Sequence, residues 1–129
     1  MEYLADTVAI IRYLSESSKV GKTALSILTD ADNGKNKIIV SAISLMEIMY
    51  LYEKGRIKFS LNDFLEKIEN HKYYKVIDLN TNILLSAIEI KNVELHDRLL
   101  IATAKHLDIP ILTCDKVIQK NNLVKTIWD

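Results

Sequence analysis

Apolar positions along the chain follow two periods. Short β-branched or apolar runs at Tyr3–Ala5, Lys37–Ser41, Tyr74–Ile77, Ile109–Thr113 and Val124–Trp128 read as strands. Longer segments between them repeat at helical spacing: Thr7–Ser15, Lys22–Ala31, Ile43–Glu53, Leu61–Asn70, Thr81–Lys91, Glu94–Leu107 and a short one from Lys116. In the sixth of these, Leu95, Leu99, Ala102 and His106 fall on one side, which predicts a core stripe with Arg98 and Lys105 facing elsewhere. Strands separated by helices pair in parallel and cross over right-handedly. The pattern therefore predicts a three-layer α/β/α sandwich around a central parallel sheet of about five strands.

Composition narrows this picture. A chain of 129 residues, 49% hydrophobic, supports one core, and three glycines with one proline leave little for linkers, so residues 1–129 are expected to form a single domain. Seventeen basic residues balance seventeen acidic ones, so nucleic-acid binding would need a local patch. Cys114 is the only cysteine, which excludes an internal disulfide and a thiolate zinc cluster and agrees with a reducing cytoplasm. The first residues carry two acids, Glu2 and Asp6, where an export signal carries bases. The longest apolar region, Ile38 to Tyr52, is broken by Ser41, Ser44 and Glu47, short of the roughly 18 residues of a membrane span. The expectation is a soluble cytoplasmic protein.

In an open parallel sheet the ligand crevice lies beyond the carboxyl ends of the strands. Asp6 follows the first strand and Asp115 the fourth, so both are expected at that edge. Glu47 lies in the helix that starts there after the second strand. Asp97 opens the helix leading into the fourth strand, and reaches the edge only if the preceding connection crosses it. Each acid also has a plainer role, because carboxylates near helix N-termini cap free N–H groups and complement the dipole. Ser44-x-x-Glu47 even matches a capping box. Four caps need not converge, whereas a divalent cation needs several oxygens in one place.

In order, these residues resemble the PIN domain, and within it the VapC-type toxins of prokaryotic toxin–antitoxin pairs. Leu4-Ala5-Asp6-Thr7 is similar to the opening strand and Asp-Thr of that family, and Val40-Ser-Ala-Ile-Ser44-Leu-Met-Glu47 to its strand, small polar residue and helix-borne Glu. His96-Asp97 through Thr113-Cys-Asp115 is similar to its acid-led helix and a strand ending in Thr-x-Asp. Cys114 and Arg98 depart from the expected neighbours of the C-terminal acids. The resemblance implies a magnesium- or manganese-dependent endoribonuclease with Asp6, Glu47, Asp97 and Asp115 as its acidic quartet, a homodimer, and an antitoxin partner seated over the acidic site.

On that reading Asp6, Asp97 and Asp115 hold the principal metal, and Glu47 places a second metal or orients the attacking water. Thr7, Ser44 and Thr113 would fix the carboxylate rotamers, although hydroxyls at helix starts are also plain caps. Arg12, Arg98, Lys116 and Lys120 flank the crevice and are the candidate phosphate contacts, with solvated surface charge as the default. His96 adjoins Asp97, but neighbouring helical positions point about 100° apart, so an exposed or hydrogen-bonded imidazole is preferred to a general base. Asp78, after the third strand, is explained as a cap for the helix from Thr81. Met46, Met49, Tyr50, Tyr52 and Phe59 are expected mostly in the core, with a soft Met-rich surface as the partner-binding alternative. A phosphate-receiver domain fails because only Asp6 follows the first strand. The competing class is a catalytically silent PIN-fold module that binds RNA or protein.

Overall fold

In the computed structural model, which describes residues 1–129, the alternation of periods becomes an alternation of elements. They are β1 (Glu2–Ala5), α1 (Thr7–Leu14), α2 (Lys22–Asp32), β2 (Lys37–Ser41), α3 (Ala42–Glu53), α4 (Leu61–Glu69), β3 (Tyr74–Ile77), α5 (Thr81–Ala87), α6 (Leu95–Leu107), β4 (Ile111–Leu112), α7 (Lys116–Lys120) and β5 (Thr126–Ile127). The five strands form one sheet in the order β3-β2-β1-β4-β5, and every pairing is parallel.

Side chains alternate across a strand, so each strand feeds two cores. Tyr3, Ala5, Ile38, Val40 and Leu112 join Ala9, Ile10, Leu28 and Phe64 of α1, α2 and α4 on one face. Leu4, Ile39 and Ile111 join Ile83 of α5, Leu99 to Ala102 of α6 and Ile118 of α7 on the other. Helix α3 serves both, placing Ile48 in the first core and Ile43 in the second. The expected α/β/α sandwich is the observed fold.

Several local expectations change. The fourth strand is two residues rather than five, although the amide of Leu4 still reaches Pro110 and that of Thr113 reaches Ile127. Helix α5 stops at Ala87 instead of Lys91, because the Arg98 guanidinium takes the carbonyls of Ala87 and Ile88 and the chain turns through Asn92 at φ +61°. The cap of α5 is Asn80, not Asp78. In α6, residues Leu99 to Ala104 are all buried, whereas Leu95 and His106 are exposed. Its middle turns pack among α3, α5 and α7, so coverage comes from all sides and a one-sided stripe misjudges it. Met46, Met49, Tyr50 and Tyr52 stand exposed on α3; of the five large residues expected inside, only Phe59 packs against the core. No helix is long and apolar enough to cross a membrane.

Candidate active site

The carboxyl ends of β1, β2 and β4 lie along one edge of the sheet, and each delivers part of the site. Asp6 directly follows β1. Its backbone φ and ψ of −64° and 153° are those of a helix N-cap, yet its side chain makes no capping hydrogen bond. The carboxylate turns instead to Thr113, whose hydroxyl donates to Asp6 Oδ2 at 2.7 Å across the β1–β4 junction. The same hydroxyl accepts from the Asp115 amide at 3.0 Å. Thr113 is fully buried and Asp6 only 7% exposed, so this bond sits away from water.

Glu47 is reached from the second strand. Helix α3 starts at Ala42 with Ser41 as its cap, the Ser41 hydroxyl accepting from the Ile43 amide. That overturns the Ser44–Glu47 capping box, since both residues lie inside the helix. Thr7 Oγ1 is 2.9 Å from Glu47 Oε1 and 2.8 Å from Ser44 Oγ. A hydroxyl has one proton, and the charged acceptor binds it more strongly, so Thr7 donates to Glu47 and accepts from Ser44. The three hydroxyls expected beside the acids thus divide: Thr113 holds Asp6, Thr7 holds Glu47, and Ser44 orients Thr7.

Asp97 and Asp115 differ in their relation to helix ends. The cap of α6 is Glu94, which accepts from the amides of His96 and Asp97, leaving the Asp97 carboxyl outside the capping bonds. Asp115 does cap, accepting through Oδ1 from the amides of Val117 and Ile118. For Asp115 the plain structural role is therefore real, and it uses one of the two oxygens.

The acids lie near enough for their charges to act on one another, most of all at Asp97. Burial pushes the Asp97 carboxyl up to about 6, with the charges of Asp115, Asp6, Glu94 and Glu47 adding to the rise. Burial also raises Asp6, opposed by the Thr113 hydrogen bond and reinforced by Asp115. Glu47 is raised by burial, lowered by Thr7 and His96, and raised by Asp6 and Glu94. None of the four forms an ion pair with lysine or arginine. Glu94 is a fifth acid that sequence reasoning treated only as a helix start; its position three residues before Asp97 was the available signal.

The donor set suits a hard divalent cation, being carboxylate oxygens without competing cations. As the side chains stand, no three of the His, Cys, Asp or Glu groups meet at ligating distance from one point. Asp97, whose carboxyl makes none of the hydrogen bonds that hold Asp6, Glu47 and Asp115, is the one free to turn. The two candidate arginines have other tasks. Arg98 ties α6 to the end of α5, and Arg12 donates to the Lys19 carbonyl at 3.3 Å and to Cys114 Sγ at 3.4 Å. Lys116 and Lys120 are exposed on α7 beside Asp115. His96 stays 3.6 Å from Glu94 and lines, with Met46, Glu47, Met49 and Tyr50, a cleft of about 400 Å³.

An α/β/α sandwich of parallel strands with carboxylates gathered at its carboxyl edge defines the class. The chain belongs to the PIN domain family, whose model matches residues 3–122. PIN domains are generally nucleases. Among curated proteins none matches the chain. Solved structures of the same fold include VapBC2 of Rickettsia felis bound to a DNA fragment from its promoter, at 16% identity and a TM-score of 0.75, with 100% of both chains covered. FitAcB of Neisseria gonorrhoeae aligns at 16% identity and 0.69, covering 97% of this chain and 96% of that one. A toxin–antitoxin complex of Klebsiella pneumoniae aligns at 19% identity and 0.62, covering 93% and 92%.

Proposed function

We propose that this PIN domain is the toxin of a toxin–antitoxin pair and hydrolyses RNA phosphodiester bonds with magnesium or manganese. The observation that carries the reading is that the charges of Asp115, Asp6 and Glu47 all bear on Asp97, with Asp6 bonded to Thr113 at the carboxyl edge of the sheet, in a chain of this family. Asp6, Asp97 and Asp115 would hold the metal, with Glu47 as the fourth acid. Bound there, the cation would supply a nucleophilic water at neutral pH and neutralise charge on the phosphate. The chain's own residues do the rest. Thr113 and Thr7 keep Asp6 and Glu47 in fixed rotamers, and the raised proton affinity of the cluster is relieved when positive charge enters it. Lys116 and Lys120 are the candidate phosphate contacts that remain free to act.

Two exposed apolar surfaces support the proposed protein partners. Leu84, Leu85, Ile88 and Leu95 stand exposed on α5, just past its end and at the start of α6, apolar surface suited to a second copy of the chain. Met46, Met49 and Tyr50 on α3 border the cleft that ends at Glu47, suited to an antitoxin segment reaching the acids. The cytoplasm is the compartment this reading implies.

The test is cleavage of structured and unstructured RNA by the purified protein in magnesium and in excess chelator, with Asp97→Asn as control. Metal-dependent cleavage lost in the variant supports the reading. Equal cleavage in chelator sinks the metal mechanism, and binding without cleavage favours the silent module.

A further inference from the structure

At the opposite end of the sheet from the acids lies a cleft of about 360 Å³. Its walls are the turn that ends α2, through Gly34, Lys35, Asn36 and Lys37, and the turn that opens β3, at Lys72 and Tyr73. The chain carries no net charge, yet this cleft is lined by three lysines and by Met1 with its amino group, against one acidic residue, Glu2. Lys35, Lys37 and Lys72 form no ion pair with any acid, Glu2 included.

The backbone beneath these lysines is held firmly. The amide of Lys37 bonds to Met1, that of Lys35 to Asp30 and that of Ile38 to Tyr73. Gly34 adopts φ +81°, and a side chain there would come within 3.0 Å of the Tyr73 ring, so turn and ring are packed together. Tyr73 is half-buried, and the Lys72 ammonium lies 5.8 Å from its ring centre. Cations without a carboxylate partner beside an aromatic ring are what single-stranded nucleic acids use: phosphates meet the cations, and a base stacks on the ring in place of the Lys72 ammonium.

We infer that the cleft between Lys35, Lys37, Lys72 and Tyr73 is a second contact for single-stranded RNA, holding the strand away from the cutting site. The inference deepens the proposed function, and depends on it only for the strand being the nuclease substrate. Strands of four or five residues separate the two edges by roughly 15 Å at about 3.3 Å per residue, so a short oligonucleotide at the acids does not reach the lysines.

Binding of a fluorescent single-stranded oligoribonucleotide, followed by anisotropy against salt concentration, tests this. The measurement uses the full chain carrying Asp97→Asn in chelator, so that binding is read without cleavage. Replacing Lys35, Lys37 and Lys72 together by alanine should weaken a long strand by at least about tenfold and flatten the slope of log Kd against log salt by about 2. Tyr73→Leu should weaken it by about tenfold with the slope unchanged, and Tyr73→Phe should restore it. A dinucleotide should bind all variants alike. Unchanged affinity and slope in the triple variant overturn the inference. So does a loss of equal size for inorganic polyphosphate or an acidic peptide with no contribution from Tyr73, which would mark a general anion surface. Failure of the nuclease reading looks different: the unmodified chain would bind RNA through the cleft and not cut it.

Discussion

The Thr113 hydroxyl donates to Asp6 Oδ2 at 2.7 Å, joining residues 107 positions apart through the pairing of β1 with β4. It also accepts the Asp115 amide, so one buried oxygen sets the rotamer of one acid and the backbone of another. Thr113→Val keeps the shape and removes both bonds. Metal affinity should fall by roughly 10- to 100-fold, the usual loss when a ligand's supporting partner is removed. Calorimetric titration with manganese measures it, and unchanged affinity would show that Thr113 has no supporting role.

Asp97→Asn separates chemistry from stability. Cleavage should drop by at least about 100-fold, since one of few charged groups at the reacting phosphate is gone. The metal-free protein should melt higher by a few degrees, because a half-buried charge facing Asp115, Asp6, Glu94 and Glu47 has been neutralised. A lower melting temperature would refute the repulsion argument.

The raised carboxyls fix the sign of a pH effect. A carboxyl whose folded value lies above its unfolded one binds protons more tightly when folded, so it favours the folded state at low pH and loses that advantage as pH rises. For Asp97 the window runs from about 4 to about 6. Metal-free protein should lose stability across this interval, and Asp97→Asn should remove part of the slope. Added magnesium should restore stability above pH 6, where the acids are charged and ready to bind it. Urea melts at several pH values check both.

Arg98 should behave as a structural residue. Its guanidinium holds the carbonyls of Ala87 and Ile88, so Arg98→Ala should cost about 1.5–3 kcal/mol, the range for hydrogen bonds to a charged group. RNA affinity per folded molecule should hold within about twofold. A selective loss of RNA binding would return Arg98 to the substrate contacts.

Strand and helix periods, the parallel sandwich and the edge positions of Asp6 and Asp115 follow from local pattern, because side-chain alternation and crossover rules act over short stretches. The ends of the elements do not. Helix α5 stops where Arg98 reaches back for its carbonyls, and the start of α3 at Ala42 turns Glu47 from a cap into a carboxyl inside the helix, held by Thr7. Exposure of Met46, Met49 and Tyr50 depends on which helices happen to cover α3.

The residue types at the acid cluster were decided by the chain itself: four acids in the right order, and a family match over residues 3–122. Their relation to each other was decided only in three dimensions. Thr113 with Asp6, Thr7 with Glu47, and Glu94 pressing on Asp97 are pairings made by packing, and carboxyl charge responds to burial and to neighbours that linear spacing does not reveal.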